Sequence, residues 1–179
     1  METTQLYIEL IIIGLEASVW MCIFYINIVG NKIMNIITNI LNNLGSSLLL
    51  IGILYIIGVL VDRLADVTFQ KTENNIRRKS GMKAKSSIII WGKNNQSDFA
   101  NYARTRIRIL RASIINIPLI MISVVWYTLE YYEWQTILLI YILSLGILFT
   151  YVAWHSFVKL VEIYYDKARV LEMNDSKHQ

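Results

Sequence analysis

The chain has 179 residues, of which 55% are hydrophobic and only 17% charged. A soluble domain of this size needs a polar skin, and apolar content of this kind gathered in long runs points to lipid instead. Cys22 is the only cysteine, which excludes an internal disulfide. No Cys or His cluster stands at metal-ligand spacing, so neither a metal nor another cofactor is expected.

No basic residue precedes the first apolar run, Leu6 to Val29. It lacks the positive start and small-residue cleavage pattern of a secretory signal, and it reads as a retained transmembrane helix. At 1.5 Å per residue its roughly 24 residues reach ~36 Å, enough for a hydrocarbon core of ~30 Å. Glu9 and Glu16 interrupt it seven residues apart, on one helical face. From Ile33 to Asn43 the asparagines at 35, 39, 42 and 43 make a polar stripe, expected near the outer interface or at the wet end of helix 2. Leu44 to Val61 is uncharged and of spanning length. Gly45, Gly52 and Gly58, with Ser46 and Ser47, offer small surfaces for another helix to approach.

Helical periodicity continues from Asp62 to about Lys79, so helix 2 is expected to project beyond the membrane. Ser80 to Gln96 breaks it, with turn signals at Ser80-Gly81 and Gly92-Lys93-Asn94. Ser87 to Trp91 reads as a strand or an interfacial patch. Ser97 or Asp98 caps a helix that passes through Arg104, Arg106, Arg108 and Arg111 into an apolar run, Ala112 to Leu129. Pro118 inside that run predicts a kink. Glu130 to Glu133 is a short turn, helix 4 runs from Trp134 to about Phe157, and its periodicity persists to Arg169.

The expected fold is therefore an all-α integral membrane protein with four transmembrane helices, of which 2, 3 and 4 extend into a cytoplasmic helical stalk. Residues 1–62 hold helices 1 and 2, and 63–111 form a basic segment with an irregular insert near 80–96. Residues 112–158 hold helices 3 and 4, and 159–179 form a tail. Of the 17 Lys and Arg, 12 lie between Arg63 and Arg111, four follow Trp154, and Lys32 stands alone on the opposite side. The positive-inside rule puts that segment and both termini in the cytoplasm, at the cell inner membrane. Tyr127, Tyr131, Tyr132 and Trp134 fit an aromatic belt at the outer face.

The candidate site residues are the polar groups at or inside the lipid boundary. Glu16 is expected near the midplane, level with Gly52, Ser123 and Ser144, with a structural role set against an ion or proton role. Glu9, Asn116 and His155 are expected at one inner depth, with a Glu9–His155 hydrogen bond between helices 1 and 4. His155, Lys159 and Glu162 share a face as ordinary surface neighbours. Asp62 and Asp66 sit one turn apart, and Arg104, Arg108 and Arg111 share a face. These acids and arginines are expected to pair as a clasp; the alternative is that Arg104, Arg106, Arg108 and Arg111 contact anionic lipid headgroups or a partner, and where both hold, Arg106, on another face, is the better lipid candidate. Paired carboxylates also suit a divalent cation or acid–base work, but the neighbouring arginines would neutralise them. No phosphate loop, nucleophile elbow or H-E-x-x-H is present, and enzyme activity is not expected.

Function is thus bounded to classes. The first is an oligomeric membrane protein that senses or signals and docks a soluble cytoplasmic partner through its stalk. The second is a homo-oligomeric cation pore or membrane-disrupting effector lined by the asparagine stripe, Glu16 and Glu9. A lipid-acting enzyme is the third. The basic segment follows from topology alone, so a nucleic-acid partner is not expected. In outline and composition the chain is similar to small four-helix membrane components of bacterial anti-phage systems, a similarity that assigns no site residues.

Overall fold

The computed structural model describes residues 2–30, 44–82, 91, 97–132 and 136–175. They form α1 (Glu2–Val29), α2 (Leu44–Lys79), α3 (Ser97–Tyr131) and α4 (Thr136–Asp175). All four are long and apolar enough to cross a membrane. The asparagine stripe, Trp134 and the end of the tail lie outside the described residues.

The helix ends follow local chemistry. Gly30 closes α1 at φ +81°, and its amide reaches the Ile26 carbonyl at 2.8 Å. At the end of α2, Gly81 takes φ +77°, a left-handed conformation that costs a glycine least. The Gly81 amide returns to the Arg78 carbonyl at 3.1 Å and the Met82 amide to Arg77 at 3.4 Å, the Schellman pattern that satisfies the last carbonyls. Arg77, Arg78 and Lys79 crowd that last turn, where the helix dipole favours cations. α3 runs on through Pro118.

α1 and α3 are parallel neighbours. From Gln5 to Asn27, their side-chain hydrogen bonds join residues 96 to 105 apart, a nearly constant offset that only co-directional helices maintain. α1 also packs against α2, α4 packs against α3 and α2, and α1 does not touch α4 among the described residues.

Two different interiors hold these helices. In the half containing α1, the buried cluster is small: Ile13, Ala17, Val61 and Ala112, with Trp20 and Ile57 against it. Here α1 and α2 meet backbone to backbone. A Cβ added to Gly14 would overlap the Leu54 carbonyl, and one added to Gly58 would overlap the Leu10 carbonyl. The approach is reciprocal, and each glycine Cα–H faces a carbonyl oxygen of the other helix, the arrangement of helix-packing Cα–H···O contacts. Gly52, expected to serve the same purpose, has open space around it, so Gly58 is the α2 glycine that meets α1, and its partner Gly14 did not stand out in the sequence.

The other half, built by α2, α3 and α4 beyond Asp62, has an ordinary hydrophobic core. Phe157, Val161 and Ala168 on α4 are fully buried against Ala65 and Phe69 of α2 and Ala100, Ala103 and Ile107 of α3. The three alanines leave room for the α4 aromatics, and fully burying a side chain like Phe157 contributes about 1.5–3 kcal/mol. Trp91 plugs the far end, its ring 5.6 Å from Phe99 and 5.4 Å from Tyr164. Of the Ser87–Trp91 run expected as a strand or interfacial patch, Trp91 is core, and 87–90 lie outside the described residues. The outside of this half carries exposed Arg63, Lys71, Arg78, Glu162, Asp166 and Arg169.

Gly14→Ala is expected to destabilise the chain by about 1–3 kcal/mol, the usual cost of overpacking, whereas Gly52→Ala is expected to be neutral. Unfolding of both variants in detergent, followed by tryptophan fluorescence, checks this.

Candidate functional site

Charged side chains of α1, α2 and α3 meet in one layer: Glu9 of α1, Asp62 of α2 at the end of its apolar run, and Arg108 of α3 one turn before its own begins. Arg108 Nη1 donates to Glu9 Oε2 at 3.0 Å, while its Nε faces Asp62 Oδ1 at 3.5 Å. Glu9 is 5% exposed and also accepts from Thr105 Oγ1 at 2.6 Å; Thr105 in turn receives Gln5 Nε2 at 2.9 Å. One turn further along, Arg111 Nη1 donates to Asp66 Oδ1 at 2.7 Å and to Glu73 Oε2 at 3.3 Å. The other Glu73 oxygen accepts from the Tyr165 hydroxyl of α4 at 3.1 Å. Four carboxylates from two helices thus converge on two guanidiniums of a third.

Asp62 and Asp66 therefore face Arg108 and Arg111. Arg104, expected in the same clasp, is separate: it is exposed, and its Nε donates to the Tyr164 hydroxyl at 3.2 Å. Glu9 and Glu73 were not foreseen in this layer. Glu73 could have been found, because it lies seven residues after Asp66 on the same face of α2. Arg106 points elsewhere, its guanidinium 5.2 Å from the centre of the Tyr102 ring.

Glu16 sits further along the α1–α3 seam. Ser113 Oγ lies 3.0 and 2.9 Å from its two carboxylate oxygens, and Asn116 Nδ2 donates to Oε2 at 3.4 Å. Asn116 is fully buried, and its Oδ1 accepts from Trp20 Nε1 at 3.2 Å. Among the described residues Glu16 has no ion pair. A carboxyl group in apolar surroundings is costly, and these hydroxyl and amide donors offset part of that cost. The partners are Ser113 and Asn116, not Gly52, Ser123 and Ser144. The parallel register sets Thr105 beside Gln5, so α3 is displaced by about two and a half turns from an alignment that starts both apolar runs together.

The expected Glu9–His155 bond is absent. Thr105 and Arg108 occupy both oxygens of Glu9, and α1 and α4 do not touch. His155 is exposed on α4 and stacks on Tyr151 at 6.2 Å. Asn116 belongs with Glu16, so the three residues expected at one depth form no cluster. At the far end of the apolar half, Tyr127 packs against Tyr131 at 4.7 Å and Tyr132 at 6.3 Å.

No protein-family model, curated protein or solved structure matches the chain, so its chemistry is read from these contacts alone. Among the described residues, no three His, Cys, Asp or Glu side chains converge to hold a metal ion. A small polar pocket of about 200 Å³ opens beside the layer, lined by Gln5, Glu9, Asn101, Arg104 and Arg108. The carboxylates in the layer are engaged by arginine, so the arrangement suits joining helices better than abstracting protons.

Arg108→Met is expected to destabilise the chain by about 2–4 kcal/mol, because it strands Glu9 in a buried site, an outcome typical of breaking one partner of such a pair. Adding Glu9→Gln to it is expected to restore part of the loss. A double-mutant cycle of detergent unfolding checks the sign of the coupling.

Proposed function

We propose that this chain is a multi-pass protein of the cell inner membrane whose stalk docks a soluble cytoplasmic partner and relays events in the bilayer to it. The observation that carries the reading is the contrast between the two halves of the same helices. In one half, apolar side chains face outward with nothing over them: Ile137 is 86% exposed, Leu48 66% and Ile147 64%. Only 11% of the apolar window of α4 is buried. Lipid, not water, is the solvent that suits such a surface. In the other half, a closed aromatic core lies beneath a charged exterior, as in a water-soluble helical bundle.

Termini and stalk are proposed to be cytoplasmic, because the basic residues gather in the half that carries the stalk. α1 supports the relay. It contributes nothing to the stalk core, yet the Glu9–Arg108 bond ties it to the helices that do. The uncovered α4 face is the proposed site of self-association. In this reading the chain would suit the membrane component of a bacterial antiviral defence system, in which a soluble partner controls the assembly. A cation pore has less support within one chain, since Glu9 and Glu16 are both turned into the α1–α3 seam and bonded there.

Photo-crosslinkers at Asp166 and Arg169 in cells are expected to give a discrete adduct with a soluble protein, and one at Ile147 is expected to give none. If the stalk positions give no adduct, and purified vesicles pass cations in a way that Glu16→Gln abolishes, the pore reading replaces this one.

A further inference from the structure

The four arginines at the start of α3 divide by partner, and the division leaves two without a carboxylate, of which one has a hydroxyl in its place and the other only a ring. Arg108 and Arg111 are held by acids, and Arg104 is bonded to Tyr164. Arg106 forms no ion pair among the described residues and instead lies across the Tyr102 ring. That ring contact limits the rotamers of a long side chain and holds its guanidinium outward.

Across the α3–α4 seam stands a second cation in the same condition. Lys159 is exposed and forms no ion pair among the described residues, although Glu162 follows one turn later. The register of these antiparallel helices is set by Met121 over Gly146 and by Arg104 against Tyr164. It sets Arg106 level with 161–162 and Lys159 level with 108–109, so the two cations stand within one helical turn of each other, on the two walls of a groove of about 420 Å³. Ile109 and Leu110 of α3, and Leu160 of α4, give the groove an apolar lining, and Ser156 adds a hydroxyl.

The height of this groove gives it meaning. Arg106 is two residues from Arg108, so the groove lies level with the layer where the apolar runs begin. Helical steps outward from Lys159 lead through Ser156 to Val152 and Phe149, which are 50% and 55% exposed. Two cations thus stand at the foot of an uncovered apolar track. Resting on the membrane reading above, we propose that this groove binds an anionic phospholipid, its phosphate between Arg106 and Lys159 and one acyl chain along Ile109, Val152 and Phe149. The chemistry matches in both parts: guanidinium and ammonium groups are phosphate ligands, and the track beyond them offers only hydrocarbon.

The test uses the full-length chain in vesicles of phosphatidylcholine with and without phosphatidylglycerol, reading retained lipid by native mass spectrometry after mild extraction. Each basic residue near an anionic surface is worth roughly a fivefold preference. Wild type is expected to retain phosphatidylglycerol over phosphatidylcholine, and the conservative Arg106→Gln/Lys159→Gln variant is expected to lose roughly 25-fold of that preference. Arg63→Gln/Lys71→Gln removes the same charge from the exposed surface of α2 and is expected to keep it. Equal loss in both variants, or displacement of the lipid by inorganic phosphate, overturns the site. Insertion into neutral vesicles with no anionic preference also overturns the site and leaves the membrane reading standing. Failure to insert at all overturns the membrane reading, and the site with it.

Discussion

Among the described residues, every ion pair that couples one helix to another passes through two arginines of α3. Arg108 gathers acids from α1 and α2, and Arg111 gathers two more from α2, one of which is bonded onward to α4. Guanidinium suits this position because its planar fork of donors can serve several carboxylates at once and stays charged at any ordinary pH. Such a layer adds little net stability relative to a well-packed apolar one, but it is intolerant of misalignment, since any slip leaves a buried charge alone. Its role is to set register.

The two halves on either side of the layer rely on different forces. In the charged half, Phe157, Val161 and their neighbours form a buried core, and where the surroundings are water, burial of apolar area supplies its stability. In the apolar half that drive is missing if the surroundings are hydrocarbon, and contact has to come from close approach and hydrogen bonds. Both are present there. Gly14 and Gly58 let two backbones touch, and the seam from Glu16 through Asn116 to Trp20 links α1 to α3. Large apolar side chains such as Leu48, Ile137 and Ile147 are left uncovered, and in hydrocarbon no favourable exchange of solvent would cover them.

Much of the architecture was legible in the amino-acid order. Four apolar runs mark four long helices, and the end of α2 falls at Ser80 and Gly81, where the turn residues stand. Arg104, Arg108 and Arg111 share a face by spacing alone. What spacing could not give was which of them meets an acid, because that depends on Tyr164 arriving from α4 to take Arg104. The relative heights of α1 and α3 were equally hidden. The apolar run of α3 begins after Arg111, yet its arginines and Thr105 lie beside the first turns of α1, since paired charges let a helix carry polar residues up to the level where its neighbour is already apolar. Gly14, with Ala17 and Ser18 three and four residues on, carried a small-residue signal of its own, but which helix it meets appears only opposite Gly58.

α4 differs from its neighbours in how it is held. Outward of Ala153 its one buried residue is Gly146, under Met121 of α3, and it contributes no charge to the arginine layer. The layer holds α1, α2 and α3 in register, because sliding any of them would leave a buried charge unpaired. α4 meets that layer through the Tyr165 hydroxyl on Glu73, and Lys159 marks its own polar boundary. On the membrane reading proposed above, a bilayer that thickens or thins would tilt the little-buried apolar half of α4 about the end held by Phe157 and Val161. Hydrophobic mismatch would then act on this protein mainly through one helix, and the same helix runs without a break to Asp175 at the tip of the stalk.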